Sequence, residues 1–370
     1  MTDPKLYMQQ ALLQASHGLG RTAPNPPVGA VIVRDDVIVG TGFHPEAGQP
    51  HAEIFALQQA GELARGSDVY VTLEPCSHHG RTGPCVEALI NAGIKKVYVG
   101  AIDPNPQVSG QGVKHLKAAG VEVVCGVLED QCEKLIAPFA KHITTGLPYV
   151  IFKSAMTLDG QTSTSSGESR WISCEESRTM VHQLRDRVDA IMVGSGTVVA
   201  DNPQLTTRLV AGGRDPVRIV VDNRLETSPE ALVYKQETAT LTLLLTSEHH
   251  DDQRLSAYRH SASVKVIPCP QDGDHLDLHQ AMLKVGELDL QTILLEGGNR
   301  LAGAMLKAGL IDRIMLYIAP LMFGGDDGGS LFSGPGVSRL VEAFRLTDLR
   351  STRIGTDILI EGEVAECSPD

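Results

Sequence analysis

Three side chains of the types that bind zinc occur in the first quarter of the chain: His51, Cys76 and Cys85. One imidazole and two thiolates leave the fourth position of a tetrahedral zinc ion open for water, as in catalytic sites. Zinc lowers the pKa of that water from ~16 to about 7, which makes hydroxide available at neutral pH. Glu53, two residues after the histidine, is not needed as a ligand and could carry the proton. These residues predict hydrolytic attack on an amino-substituted carbon of a heterocycle, with release of ammonia.

The order of these residues follows the pattern of zinc deaminases with one departure. That pattern is His-x-Glu followed by Pro-Cys-x-x-Cys, in which the glutamate is the general acid and base. Here eight residues separate the two cysteines instead of two. The alternative is a structural zinc site that uses His78 or His79 as a fourth ligand, but such a site would not require Glu53. We interpret His44 as an ordinary loop or core histidine.

The segments around these residues alternate between strands and helices, which predicts an α/β layer structure. A helix that begins at His51 would bring Glu53 over the metal. A helix that begins at Cys85 would place a thiolate at the positive end of the helix dipole. The predicted elements of this part are a helix from Pro4 to Gly18, a hairpin of 28–33 and 37–39, helices at 52–60, 85–91, 110–119 and 129–145, and strands at 69–73, 96–100 and 121–124.

A boundary is predicted at Gly146-Leu147-Pro148, where a second α/β sheet starts. Two glycine turns, Glu296-Gly297-Gly298 and Gly194-Ser195-Gly196-Thr197, stand where a backbone could approach a pyrophosphate at a helix N-terminus. The common Gly-x-Gly-x-x-Gly fingerprint is missing, so these turns alone name no cofactor. The predicted elements are strands at 149–153, 190–193, 217–221, 241–245, 264–267, 292–295 and 314–318, helices at 175–187 and 301–307, a loop at 162–169, and a C-terminal strand pair near 344–348 and 354–361.

The length of 370 residues suggests about two or three domains. The formal net charge of −13 argues against nucleic acid as the main partner. No apolar run approaches the ~20 residues of a membrane span, and the N-terminus does not have the form of a signal peptide. Seven cysteines, an odd number, favour a reducing cytoplasm over a disulfide framework.

Recognisable motifs occur along nearly the whole chain: PNPPVG at 24–29, HAE at 51–53, TLEPCSHHGRT at 72–82, DPNP at 103–106, KSAMTLDG at 153–160, GESRWI at 167–172, GSGT at 194–197, ADNPQLTTR at 200–208 and EGG at 296–298. Together they closely resemble the family of bifunctional riboflavin-biosynthesis deaminase/reductases. Cys85 falls where that family has its third zinc ligand, so the long cysteine spacing is typical of it.

This resemblance implies an N-terminal cytidine-deaminase-like three-layer domain at 1–146. It implies a C-terminal dihydrofolate-reductase-like domain at 147–370. The first would remove the 2-amino group of a diaminopyrimidinone ribosylamino 5′-phosphate, with one zinc ion and Glu53. The second would use NADPH to reduce the ribosyl group of the product to a ribityl chain.

The resemblance also implies binding residues. Asn25 would contact the substrate in the first domain. Arginine binds phosphate bidentately, so Arg185 and Arg208 suit the ribose phosphate, although a surface ion pair would explain either one equally well. Lys153 and Asp201 are the candidate acids for the proton that accompanies the hydride. The implied NADPH contacts are Ala155, Trp171, Thr197, Asp201, Asn223, Gly298, Asn299, Arg300, Leu301, Ala302, Gly303 and Ala304. The implied substrate contacts in the second domain are Ser169, Arg185, Leu205, Arg208 and Glu296.

Three rival hypotheses stay open at this point. A tRNA-type nucleic-acid deaminase fits the His-x-Glu and Pro-Cys elements, but not the cysteine spacing, the acidic charge or the second domain. A deaminase with a degenerate, regulatory second domain is the second rival. A zinc-stabilised binding module, in which the metal only holds the fold, is the third. The sequence does not fix the oligomeric state, and a homodimer is compatible with it.

Overall fold

The structure is a computed structural model that describes residues 3–77, 83–106, 108–236, 240–259 and 261–365. The chain forms two compact units, Met1–Gly146 and Leu147–Asp370. Among the described residues, no helix is long and apolar enough to cross a membrane.

The first unit contains a five-stranded sheet in the order β2-β1-β3-β4-β5. Strand β1 is antiparallel to β2 and β3, whereas β3, β4 and β5 are parallel to one another. The strands are β1 (Gly29–Arg34), β2 (Val37–Phe43), β3 (Asp68–Leu73), β4 (Lys96–Ala101) and β5 (Glu122–Cys125). The helices are α1 (Pro4–Ser16), α2 (Ala52–Ala60), α3 (Cys85–Asn91), α4 (Gln111–Ala118) and α5 (Glu129–Thr145).

Helices cover both faces of this sheet because its strands are apolar on both sides. Successive side chains of a strand point to opposite faces. Ile32 of β1 packs with α2, α3 and α4, and its neighbour Val31 packs with α1 and α5. The three layers leave the carboxyl ends of the parallel strands β3 and β4 at one edge of the sheet. The predicted elements of this unit are all present, with ends that differ by a few residues.

The second unit contains a nine-stranded sheet in the order β10-β9-β8-β7-β13-β6-β14-β16-β15. The first seven strands of that order are parallel to one another. Strand β16 is antiparallel to its neighbours β14 and β15. The strands of this sheet are β6 (Tyr149–Thr157), β7 (Ala190–Gly194), β8 (Val217–Val221), β9 (Thr242–Ser247), β10 (Val264–Cys269), β13 (Thr292–Glu296), β14 (Arg313–Ala319), β15 (Leu346–Ile354) and β16 (Asp357–Val364). Strands β11 (Gln271–Asp272) and β12 (His275–Leu276) form a separate antiparallel pair. The helices are α6 (Glu175–Arg187), α7 (Ser195–Asp201), α8 (Asp252–Ser256), α9 (Leu278–Gly286) and α10 (Asn299–Lys307).

Two apolar clusters fix the helices of the second unit to opposite faces of its sheet. Ala281 of α9 and Met305 of α10 are fully buried against strand residues such as Phe152. On the other face, Val181 of α6 packs on Ile151 and Leu294. Strands β6 and β13 lie at the centre of the sheet, so their carboxyl ends are at the edge where ligands bind in open α/β sheets.

Several elements of the second unit differ from prediction. The C-terminal pair turns at Gly355-Thr356, so the segment predicted as a turn is part of β15. Strand β15 is exposed along almost its whole length and shows no apolar alternation, whereas Gly355 has a φ of 56° that marks the turn. Helices α7, α8 and α9 were not predicted. For α9 the signal was present, because Asp277 caps the helix and Leu278, Ala281, Met282 and Val285 follow at helical spacing.

Candidate active sites

The three predicted zinc ligands come together at the edge where β3 ends. His51 is the residue before α2, Cys76 follows β3, and Cys85 is the first residue of α3. One ligand atom of each lies within 4.8 Å of the others. The His51 Nδ1 atom is 3.5 Å from Cys76 Sγ and 3.3 Å from Cys85 Sγ. The donor set fits the three protein ligands of a catalytic zinc ion.

The cysteine chemistry also suits a metal. The backbone N–H of Cys85 donates to Cys76 Sγ at 3.3 Å. Hydrogen bonding to Cys85 and to His51 lowers the pKa of the Cys76 thiol to about 4. A thiolate is the form that binds metal.

Glu53 lies in the first turn of α2, next to the ligands, and only 3% of it is exposed. Its Oε2 atom is buried and has no hydrogen-bond partner among the described residues. Burial, assisted by the Cys76 charge, raises the pKa of Glu53 to about 7. A carboxyl with such a pKa can both accept and release a proton near neutral pH.

Asn25 is held near the three zinc-ligand side chains by His44, a residue that we did not assign to the site from the sequence. The Asn25 amide nitrogen lies 3.0 Å from Nε2 of His44, and His44 Nδ1 lies 3.1 Å from the Pro50 carbonyl. The His44 ring is buried and packs edge-on against His51. His44 therefore supports Asn25 and lies outside the set of ligands found among the described residues. His78 and His79, the alternative fourth ligands, lie outside the described residues.

A polar cluster lies at the carboxyl ends of the central strands of the second unit. Glu296, the last residue of β13, is paired in register with Lys153 of β6. Arg185 of α6 donates two hydrogen bonds to the Glu296 carboxylate, at 2.9 and 2.8 Å, and a third to the Thr206 carbonyl. Burial alone would raise the pKa of Glu296, but the neighbouring Arg185, Lys153 and His182 lower it to about 2. The carboxylate is therefore ionised, and Arg185 is in a buried rather than a surface ion pair.

The Lys153 side chain is half-buried beside the same cluster. Its pKa is lowered by burial, against the opposing effect of Glu296. The amine lies 5.6 Å from the centroid of the Tyr317 ring. His182 of α6, also missed by the sequence argument, accepts the Arg208 backbone N–H at Nδ1, at 3.1 Å.

The two predicted glycine turns are adjacent, because β7 and β13 are neighbouring parallel strands. Gly297 and Gly298 have φ angles of 62° and 67°. A Cβ would lie 3.1 Å from the Thr197 hydroxyl oxygen if added to Gly297, and 3.4 Å from it if added to Gly298. Glycine is needed at both positions, and the resulting surface at the start of α10 suits a close-approaching pyrophosphate.

The residues of the 298–304 segment differ in what they offer to a cofactor. Ala302 is fully buried in the core, and a Cβ on Gly303 would collide with the Ser333 carbonyl. The other predicted members are partly or fully exposed: Gly298, Asn299, Arg300, Leu301 and Ala304. The backbone at the start of α10 is thus the accessible portion of this segment.

The remaining predicted contacts are spread along the same edge of the sheet. Ala155 is half-buried on β6, and Asn223 uses its amide to bond the Asp274 carbonyl and the Gln271 side chain. Ser169 is half-buried. Trp171 is 66% exposed and stacks under the Arg178 guanidinium.

Three residues of the 200–208 motif have different environments. Asp201 is exposed and forms an ion pair with Arg170. Leu205 is buried in the apolar core, so its side chain packs within the protein. Arg208 is exposed, and the hydrogen bonds of its guanidinium to described residues are local, to Gln204 and to Thr206.

Comparison with known proteins gives a match for each unit. A family model described as the RibD C-terminal domain matches residues 148–360. A model described as the zinc-binding region of cytidine and deoxycytidylate deaminases matches residues 1–101. The first covers more than half of the chain. The chain belongs to the RibD family.

Members of the RibD family resemble this chain over its full length. The riboflavin biosynthesis protein RibD of Actinobacillus pleuropneumoniae is 43% identical over 98% of this chain and 95% of its own. RibD of Escherichia coli is 40% identical over 96% and 97%. The structure of Acinetobacter baumannii RibD has a TM-score of 0.85 and 37% identity, covering 98% of this chain and 99% of the other.

These matches confirm the predicted fold class, with a cytidine-deaminase-like domain followed by a RibD-type reductase domain. The chain is a bifunctional deaminase and reductase of riboflavin biosynthesis, which decides against the rival hypotheses. Its deaminase domain is of the zinc-binding type and its reductase domain uses NADPH.

Proposed function

We propose that the two units catalyse consecutive steps on one ribotide. The first unit would hydrolyse the 2-amino group of 2,5-diamino-6-ribosylamino-4(3H)-pyrimidinone 5′-phosphate. The second would reduce the ribosyl group of the product to a ribityl chain. A Thermotoga maritima protein with 35% identity and a TM-score of 0.85 is described as a diaminohydroxyphosphoribosylaminopyrimidine deaminase and 5-amino-6-(5-phosphoribosylamino)uracil reductase.

The deaminase proposal depends on one observation, a buried Glu53 oxygen that has no hydrogen-bond partner in the described part of the chain and lies beside the three ligand side chains. Zinc held by His51, Cys76 and Cys85 would supply a Lewis acid and an activated water. Glu53 would relay the two protons of the attacking water in turn, the first to a ring nitrogen and the second to the amino group, which then leaves as ammonia. Asn25, fixed by His44, orients the pyrimidine.

The reductase proposal depends on the half-buried Lys153–Glu296–Arg185 cluster at the carboxyl edge of the sheet. NADPH would lie along the two glycine turns and supply the hydride when bound. The sugar must react in its open-chain form, and Lys153 Nζ gives the accompanying proton. Because Arg185 is engaged by Glu296, we assign the sugar phosphate to Arg208 instead. Asp201 is the second candidate for the acid.

Product mass from the purified protein tests both assignments. We expect the ribotide to exchange its amino group for oxygen without cofactor, and to gain two hydrogens only when NADPH is present. Deamination without any consumption of NADPH would contradict the assignment of the second unit. Absence of both reactions from zinc-loaded protein would contradict the choice of substrate.

We further propose that the protein is a homodimer that pairs through β15. This edge strand is exposed along almost its whole length and carries the exposed Leu349, while Leu340 and Val341, which precede it in the chain, are also exposed. Unprotected edge strands and contiguous apolar surface mark interfaces. Leu349→Glu should give a monomer in sedimentation analysis, whereas Leu63→Glu, at an exposed leucine of the first unit, should not. A monomeric wild-type protein would contradict the proposal.

We also propose that the protein binds neither nucleic acid nor membranes and is located in the cytoplasm. The net charge of −13 supports a protein that binds neither nucleic acid nor membrane. None of the six described cysteines is in a disulfide, which supports a reducing cytoplasmic location. Fractionation of cells, and a binding assay with RNA and anionic vesicles, would test these proposals.

A further inference from the structure

Glu74 is a buried carboxylate next to the deaminase site that the mechanism above does not use. Only 4% of the residue is exposed. Its Oε2 atom accepts the backbone N–H groups of Asp103, at 3.2 Å, and Gly110, at 2.9 Å. Its Oε1 atom accepts the N–H of Val113 at 3.0 Å. A buried charge is costly unless hydrogen bonds compensate it, and three backbone donors do so here.

These three donors join two elements. Asp103 follows the end of β4, and Val113 lies in the first turn of α4, so one carboxylate binds the backbone just after β4 and at the start of α4. The packing is tight, because a Cβ on Gly112 would lie 2.1 Å from the Pro75 carbonyl oxygen. Three N–H groups require both oxygens of a carboxylate, since an amide would present an NH₂ group to at least one of them.

The hydrogen bonds around Glu74 also fix the backbone segment that carries the metal ligand Cys76. Glu74 is two residues before Cys76, and its own N–H donates to the Ala101 carbonyl at 2.9 Å. The backbone carbonyl of Cys76 itself accepts the Val86 N–H at 3.2 Å. Between these anchors stands Pro75, whose ring restricts φ. The position of the Cys76 sulfur therefore depends on Glu74 on one side and on α3 on the other.

We propose that Glu74 is a positioning residue of the deaminase, which holds the turn that presents Cys76 to the metal and fixes the backbone at Asp103 and Gly110. The inference rests on the proposed deaminase function only for its kinetic effect. Its effect on the metal site can be measured without any substrate.

The test compares Glu74→Gln with the wild-type enzyme, both loaded with Co²⁺ in place of zinc. We expect an altered visible absorption spectrum of the bound cobalt and a metal affinity lower by roughly tenfold to a hundredfold, as for residues that support metal ligands. The kcat of deamination should fall while the reductase rate of the same chain stays unchanged. Glu122→Gln, the same chemical change at an exposed ion pair of the same unit, is the matched control.

A second control separates positioning from stability. Leu116 of α4 is fully buried, so Leu116→Ala should lower the melting temperature without changing the cobalt spectrum. A Glu74→Gln protein with the wild-type spectrum, affinity and kcat would overturn the proposal. If that variant does not fold, Glu74→Asp, which keeps the charge but shortens its reach, should give the altered spectrum. Failure of both variants to fold would assign Glu74 to the fold alone and would equally overturn the proposal.

Discussion

Glu53 is a single carboxyl that must be protonated at one step of deamination and ionised at another. Glu53→Gln keeps the size of the side chain but cannot move a proton. We expect zinc content and reductase activity to be retained while deamination falls by roughly 10²–10⁴-fold. Metal analysis and separate assays of the two reactions measure this. A variant that deaminates at the wild-type rate would make the zinc site structural.

Arg208 is the exposed guanidinium that we assign to the sugar phosphate. Arg208→Ala should raise the KM of the reduction, with a loss of roughly tenfold to a hundredfold in kcat/KM, because a charged hydrogen bond is worth about 1.5–3 kcal/mol. Deamination should be unchanged. Arg208→Lys keeps the charge but not the bidentate geometry, so its kcat/KM for the reduction should lie between those of the wild type and Arg208→Ala. Equal loss of both activities would contradict the assignment to separate sites.

His182 links the stability of the reductase unit to pH. Burial, followed by the neighbouring Arg185 and Arg208, lowers its pKa to about 4, and its Nδ1 accepts an N–H as only the neutral ring can. The unfolded chain, with a histidine pKa of about 6.5, binds more protons between these values, so stability falls as pH falls from about 6.5 to about 4. The loss is about 3 kcal/mol at most. Denaturant titration of His182→Asn should show a smaller loss of unfolding free energy between these pH values than the wild type does. A variant with the same pH dependence of stability as the wild type would contradict this role of His182.

At the residue scale, the sequence could predict what depends on residue type and local spacing. His51, Cys76 and Cys85 are rare ligand types in a known order, and they do come together. His44 and His182 were not assigned to a site, because their roles depend on partners 19 and 26 residues away that only the fold brings near. The Arg185–Glu296 pair spans 111 residues, so its burial could not be read from spacing.

Helix α6 supplies both Arg185 and His182, and its start is fixed by a distant carboxylate. Asp357 of β16 is buried and accepts the Cys174 N–H at 2.8 Å and the Ser177 hydroxyl at 2.7 Å. Asp357→Ala would leave these donors unpaired, which should cost about 1–3 kcal/mol in the free energy of unfolding. It should also reduce the reductase rate but not deamination.

The matched control for this prediction is Asp277→Ala, which removes the N-cap of α9 in the same unit. It should cost about 1 kcal/mol and leave the reductase rate unchanged, because α9 carries none of the predicted site residues. Thermal melts and initial rates of both variants give the comparison. An Asp357→Ala enzyme with full reductase activity would show that α6 holds its position without the cap.

At the element scale, prediction succeeded where apolar periodicity was strong. The central strands β6, β7, β8 and β13 are short β-branched or leucine runs that were recognisable in the sequence. Strand β15 was misplaced because all of it except Ile354 is exposed, so it carries no alternating apolar pattern. The meeting of the two glycine turns follows from the neighbouring positions of β7 and β13, which no local pattern encodes.

At the scale of the whole molecule, the two sites occupy separate compact units. Removal of zinc with a chelator should therefore abolish deamination and leave NADPH-dependent reduction of the deaminated ribotide intact. Readdition of zinc should restore the first activity. Parallel loss of reduction in the chelated protein, measured by NADPH absorbance, would show that the metal stabilises more than its own unit.

The order of the strands also determines when each unit can fold as it leaves the ribosome. In the first unit the sheet grows by neighbours that are close in sequence, so it can form as soon as residue 125 has emerged. In the second, β6 and β7 are joined only through β13, which is synthesised more than a hundred residues after β6. Until Glu296 emerges, the nascent chain holds two apolar strands without their shared neighbour, a state prone to aggregation. The residue that anchors the reductase site thus belongs to the strand that completes the centre of its sheet, and chaperones would be needed most during that interval.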